Sequence, residues 1–281
     1  MAELNKIDFA VMFTVKNANP NGDPLNENRP RICYDDRGEV SDVCLKRKIR
    51  NRWQDMEKNI FVQSNDQKID DANSLKERVE RFLPLTKGDM NKFIEATCKE
   101  WIDVRSFGQL FALKAVKESG DKGVSIGIRG PVSLHPAFSI SPISISSIQI
   151  TKSVNSETKD KKGSDTMGMK HRVDCGTYVF YGSINPQLAK RTGFNVEDAL
   201  ALKEALKTLF DNDSSSARPD GSMDVRRVYW WIHNTPNGQY SSGKVHKSLQ
   251  IIEKKEDACN FEDYEISVQE LKDLKLDIYE N

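Results

Sequence analysis

The run Ile7 to Lys16, IDFAVMFTVK, and the way it ends constrain the fold of this chain most. Its β-branched and aromatic residues read as a buried strand. Three turn dipeptides follow in succession, Asn19-Pro20, Asn21-Gly22 and Asp23-Pro24. Pro presets the turn backbone and Asn, Asp and Gly tolerate it, so the chain leaves the strand through a structured turn and a polar loop.

Beyond that loop lies Ser41 to Trp53, SDVCLKRKIRNRW. Leu45, Ile49, Trp53 and Met56 recur at helical spacing on one stripe, and Ser41 suits the N-cap. Five Lys or Arg residues fall between Lys46 and Arg52 with no acid among them. Around the wheel Lys46 and Arg50 sit one turn apart beside the stripe, Lys48 and Arg52 lie on its other flank, and Arg47 points away. Without intervening Glu the helix forgoes the usual i,i+4 pairs and repels itself, which points to an anionic partner. Two cations one turn apart match successive phosphates of one strand better than they match a small ligand. A merely solvated face is the competing reading.

The acids and bases balance over 281 residues, 42 of each, so the net charge says little about partners. Distribution says more. The region around Lys46 and the stretch Lys159 to Arg172 are basic, whereas the segment 253–281 is mostly acidic. Opposite patches on one subunit suit head-to-tail self-association. With 37% hydrophobic and 30% charged residues the chain can bury a core as one elaborated domain or two smaller ones. Cys33, Cys44, Cys98, Cys175 and Cys259 are odd in number and form no CxxC pair, so neither a disulfide framework nor a zinc knuckle is expected. No membrane span and no export signal are read, and the expected location is cytoplasmic.

Two amphipathic segments, near Ser74 to Phe82 and Met90 to Trp101, read as an added helical patch. Val124 to Leu134 reads as a strand whose Gly127 and Gly130 permit a bulge or a close approach. From Pro136 the sequence alternates apolar residues with Ser or Thr and then becomes charged, a hairpin-like projection with a polar tip. Strand signal resumes at Cys175 to Ile184, a helix follows from Asn195 to Phe210, and Val225 to Ile232 reads as the last core strand. Without insertions the order is strand, helix, strand, strand, helix, strand. That is the ferredoxin-like α+β arrangement also used by RNA-recognition modules.

Catalytic signals are weak. Gly238 to Lys244, GQYSSGK, resembles a phosphate-binding loop but is followed by Val245, and KVHKSLQII reads as strand, so the match is rejected. His135, His171, His233 and His246 lie far apart, with no spacing that suggests metal or triad chemistry. Asp23 reads as a turn residue before it reads as a metal ligand. Tyr178 and Phe180 in GTYVFY are similar to base-stacking rings of RNA-recognition domains, but read first as core. At the base of the projection Met167, Met169, Lys170, His171 and Arg172 combine flexible apolar side chains with cations. They read as either a wedge and clamp for a strand or a basic loop.

NPNGDP after the first strand, RPR shortly after it, SDVCLKRKIRN opening the first helix and DVRSFGQLF at Asp103 to Phe111 together resemble the repeated backbone subunit of type I-C CRISPR surveillance complexes (Cascade), in the Cas-seven branch of the RAMP superfamily. The resemblance implies an RRM-like palm over 1–281 with a helical insertion at 58–120, a thumb at 136–172 between the middle strands and an acidic C-terminal segment at 253–281. It implies a non-catalytic subunit, without cofactor, that polymerises along guide RNA (crRNA) and presents it for pairing with target DNA. The implied RNA contacts are Asn21 in the loop, Ser41, Lys46 and Arg50 on the helix, and Met167, Met169, Lys170 and Arg172 in the thumb. The implied partners are guide RNA, target DNA through the guide, further copies of the chain, and the large and RNA-processing subunits. An endoribonuclease of the same superfamily, processing guide or cutting target RNA, is the alternative.

Overall fold

Phe9, Val11, Phe13 and Val15 join one apolar cluster, while Ala10 and Met12, from the same strand, join another on the opposite face. Successive side chains of a strand point to opposite faces, so a strand covered on both sides reads as an unbroken apolar run. The structure, a computed structural model, describes residues 4–82, 89–113, 124–151 and 167–281. Residues 83–88 and 114–120 of the expected helical insertion and 152–166 of the expected thumb lie outside the described residues.

Strands β1 (Ile7–Ala18), β2 (Gly22–Asp23), β3 (Arg29–Pro30) and β4 (Arg37–Val40) precede helix α1 (Asp42–Asp55). Helices α2 (Leu75–Glu80), α3 (Met90–Glu100) and α4 (Ile102–Phe107) lead to the hairpin β5 (Gly108–Leu113) and β6 (Val124–Arg129). Then come β7 (Val132–Leu134), β8 (Ala137–Pro142), β9 (Ile145–Thr151) and β10 (Met167–Ile184). Helices α5 (Pro186–Thr192) and α6 (Val196–Lys207), strand β11 (Met223–Ile232), helix α7 (Ser242–Ser248) and strands β12 (Leu249–Glu253), β13 (Tyr264–Val268) and β14 (Lys275–Glu280) complete the chain.

The main sheet has the order β14-β11-β1-β10-β8-β4, with β7 and β9 also paired to β10. Its antiparallel centre, β11-β1-β10-β8, and the chain order β1-α1-β8-β10-α6-β11 together make the ferredoxin-like α+β arrangement. Leu45, Ile49 and Trp53 of α1 are fully buried against β1, as the stripe requires. Each aliphatic side chain so buried contributes about 1.5–3 kcal/mol. Tyr178 and Phe180 lie in the same core, with Tyr178 stacked 5.2 Å from Phe13. Gly38 admits the Tyr178 ring: a Cβ there would meet its hydroxyl at 2.1 Å.

The opposite face is covered by α7 and the β12–β13 hairpin, through Val245 and Leu249 against Ala10, Met12, Tyr229 and Trp231. An open recognition sheet is therefore not what this fold presents. KVHKS is helical, not strand, because Ser241 caps the helix through Lys244 N (3.3 Å) and the strand starts only at Leu249. Val124 to Leu134 divides into β6 and β7 at Gly130, where a Cβ would lie 2.3 Å from the Ser106 carbonyl. A second apolar cluster joins Phe61, Val79, Phe93, Trp101 and Phe111 under α2, α3 and the β5–β6 hairpin. The acidic segment is folded, since β14 pairs with β11 and Glu280 bonds Arg227 at 2.8 Å. Cys175 and Cys259 form a disulfide between β10 and the loop after β12, a pairing that the reading of no disulfide framework did not anticipate. Neighbouring Cys spacings carry no trace of a pair 84 residues apart. Among the described residues no helix is long and apolar enough to cross a membrane.

Candidate nucleic-acid interface

Asn21 and Ser41 meet at the N-terminus of α1. The Asn21 Oδ1 accepts from the Ser41 backbone N–H at 3.0 Å and from its hydroxyl at 2.9 Å. The Ser41 Oγ accepts in turn from the Cys44 N–H at 3.2 Å, which is the expected N-cap. The turn dipeptides therefore do more than end β1: they bring a side-chain carbonyl to the start of the helix.

Lys46 and Arg50 lie together on one side of α1, over the Phe107 ring at 5.9 and 5.2 Å. Both are paired. The Lys46 Nζ bonds Asp42 at 2.9 Å, an i,i+4 contact, and the Arg50 Nε bonds Asp103 at 2.9 Å. The helix does not repel itself for want of acids, because Asp42 and Asp55 pair with its cations from within and Asp103 and Asp213 from elsewhere in the chain. Lys48, on the other flank of the stripe, is buried and paired with Asp213. Burial pushes its ammonium pKa down, and the Asp213 charge offsets only part of that. Arg47 donates to the Val62 carbonyl at 3.0 Å, and Arg52 to Thr208 at 3.0 Å and Asp55 at 2.9 Å. Lys46 keeps the most open position of the proposed pair, on the wall of a cavity of about 280 Å³ shared with Arg129 and Asn185. The Arg50 side chain is only 12% exposed.

DVRSFGQLF explains itself in three dimensions. Asp103 receives the Phe61 N–H (2.8 Å), the Val62 N–H (3.1 Å) and Arg50. Arg105 clamps Asp198 with two bonds of 2.9 and 2.7 Å, and Phe107 stacks on Trp53 at 5.3 Å. Gly108, at φ 79°, turns the chain from α4 into β5. The motif fastens α1, α4 and α6 together and so fixes the cations beside them.

The projection is a two-stranded ribbon in which β9 pairs with the first residues of β10. Strand β10 is 18 residues long, roughly 60 Å at the rise of an extended chain, so it belongs to the sheet at one end and the ribbon at the other. Met167 and Met169 are 64% and 50% exposed and share one face of the ribbon by alternation. Lys170 and Arg172 fall on the other face, where Lys170 donates to the Ser216 carbonyl at 2.8 Å and Arg172 lies 3.8 Å from Asp174. The apolar and cationic members of the expected wedge and clamp are thus on opposite sides.

Sequence reasoning missed the link between loop and ribbon. Arg29 donates to Ser147 at 3.0 Å, and Ser147 lies 2.8 Å from His171 Nδ1, tying β3 to β9 and β10. The RPR motif was the available signal. Asp23 is a turn residue, accepting from the Leu25 N–H at 3.2 Å and lying 3.4 Å from Arg31.

The histidines are closer than their spacing suggests. His233 and His246 both approach the buried Asp8, and His135 stands edge-on to His246 at 5.7 Å. The His233 Nδ1 accepts from the Gln239 N–H, so the network assigns its proton to Nε2, which donates to Asp8 at 2.8 Å. Asp8 alternates with Phe9, so this group lies on the α7 face, opposite α1, and braces that helix to β1.

A family model for the CRISPR-associated protein Cas7 matches residues 5–269. The CRISPR-associated protein Cas7 of Haloferax volcanii is 23% identical over 305 residues, covering 100% of this chain and 82% of that relative. Among solved structures, a chain of a "CRISPR RNA-guided surveillance complex, pre-nicking" aligns with TM-score 0.47 at 13% identity, over 82% of this chain and 78% of that one. A chain of a "CRISPR RNA-guided surveillance complex" aligns with TM-score 0.43 at 17% identity, over 82% and 70%. Because the family model spans nearly the whole fold, from the start of β1 to just beyond β13, the chain belongs to the CRISPR-associated Cas7 family.

Proposed function

We propose that this chain is a non-catalytic backbone subunit of a type I-C surveillance complex, polymerising head-to-tail along guide RNA and presenting it for pairing with target DNA. The observation that carries the reading is the ribbon. Met167 and Met169 stand exposed on one face of a paired strand, with no core to join. Apolar side chains held this way act as a wedge that unstacks one base from the next. The palm of the same or a neighbouring copy supplies the backbone grip through Lys46 and Arg50, positioned by Asn21 and Ser41. Lys170 and Arg172 serve the opposite face of the ribbon. The thumb is residues 136–172 and the helical insertion 58–120, and the large and RNA-processing subunits are further partners of the filament.

Co-expression with a repeat-derived RNA tests this. A long particle containing RNA of defined length, with many copies of the chain, is the expected product. A chain that purifies free of nucleic acid and stays monomeric when that RNA is added would overturn the reading.

A further inference from the structure

Arg129, at the end of β6, stands on the wall of two cavities. One is the cavity of about 280 Å³ that Lys46 also lines. The other, of about 900 Å³, lies between α3, β6 and α5, where Lys99, Arg105, Arg129, Lys190 and Arg191 face Glu95, the single lining carboxylate among the described residues. The Arg105 charge is neutralised by Asp198. Lys99, Arg129 and Arg191 are exposed, and no described carboxylate pairs with any of them. On α1 the situation is reversed: Lys46, Lys48, Arg50 and Arg52 each have a carboxylate partner. Charge available to an incoming anion is therefore concentrated at the cavity rather than on the helix whose sequence is most basic.

We propose that the larger cavity, reached past Arg129 from the Lys46 edge, binds the phosphate backbone of a nucleic-acid strand. The cations come from three separate elements, α3, β6 and α5, around one cavity, and Arg129 also lines the cavity that Lys46 lines. Cations carried by three elements around so large a cavity suit the successive phosphates of a polymer better than one compact anion. The proposal rests on the RNA-binding reading above and adds Lys99, Arg129 and Arg191 to it as backbone contacts.

The test is binding of fluorescein-labelled single-stranded RNA to the full chain across a salt series, for the wild type and the triple variant Lys99→Ala, Arg129→Ala, Arg191→Ala. The three side chains are exposed, so the variant is expected to keep its melting temperature; the single variants are measured beside it. Affinity should fall at least about tenfold at low salt. The slope of log K against log salt should become shallower by about 2, from roughly 0.7 per phosphate on a single strand. The charge-keeping variant Lys99→Arg, Arg129→Lys, Arg191→Lys should retain the slope. A second arm adds the complementary strand to RNA-saturated protein. A defect confined to that arm would assign the phosphates to the paired strand and support the site equally. Unchanged affinity and slope in both arms, or weaker binding with an unchanged slope, would overturn the site while leaving the RNA reading intact. A wild-type chain that binds no RNA would overturn both.

Discussion

Arg50 and Asp103 form the joint between the basic helix and the helical patch beside it. Their Nε and Oδ2 atoms lie 2.9 Å apart across 53 residues of sequence. Asp103 also accepts the Phe61 and Val62 N–H groups, so one buried carboxylate holds a cation and two backbone donors. Such a group is stable when all its partners are present and costly when it is removed, because three donors then lose their acceptor.

Asp103→Ala should consequently destabilise the chain by about 3–5 kcal/mol. Arg50→Ala should cost less, since the carboxylate keeps its two backbone bonds. Denaturant unfolding of both variants checks the order. Equal losses would mean that Asp103 acts only through Arg50.

Asn21→Ala and Ser41→Ala should each cost about 1 kcal/mol, the ordinary value of an N-cap interaction. The double variant should cost clearly less than the sum, because the two side chains share the 2.9 Å bond that joins them. A double-mutant cycle on thermal or denaturant unfolding measures the coupling, and strict additivity would separate the turn from the cap.

Acidification should destabilise the fold in two stages. Burial lowers the His246 pKa from its ordinary 6.5, and the Asp8 charge only partly opposes this. The unfolded chain then binds the proton more readily, so stability falls as pH drops below about 6.5 and levels off under the folded value. Burial pushes the Asp8 carboxyl up, but its bond from His233 and the nearby Lys6 and His246 charges outweigh that and hold it below 3.8. Its contribution is complete above the unfolded value and is lost as pH falls through the folded one. Melting temperatures from pH 8 to pH 5 should decline, and His246→Gln should flatten the decline near pH 6. An unaltered slope in that variant would remove His246 from the account.

Met167→Ser with Met169→Ser should leave the melting temperature within about 2 °C of the wild type, since neither side chain is in a core. In an assembled RNA complex the same variant should reduce the periodic exposure of bases to chemical probes. A wild-type probing pattern would deny the ribbon its wedge role.

Some of this was legible because its physics is local. The turn dipeptides after β1, the Leu45, Ile49, Trp53 stripe, the Ser41 cap and the exposed methionines depend on residues within a few positions, where periodicity and capping operate. KVHKS was misread even so, because a seven-residue helix is too short to display its period and the apolar Leu249 to Ile252 beside it carries strand signal.

The chain's sequence by itself determined the order of the core strands and helices, the α1 cap and the family motifs, since each follows from neighbours along the backbone. Only the tertiary structure decided which charges remain available. Asp103 and Asp213 reach α1 from 53 and 165 residues away, His233 and His246 converge on Asp8 across the sheet, and Cys175 meets Cys259. An ion pair between residues distant in sequence depends on distance in space and on burial, and neither is encoded in spacing; only the local pairs Lys46–Asp42 and Arg52–Asp55 are. The most basic stretch of the sequence is therefore largely neutralised where it folds, and cations that look scattered along the chain line one cavity.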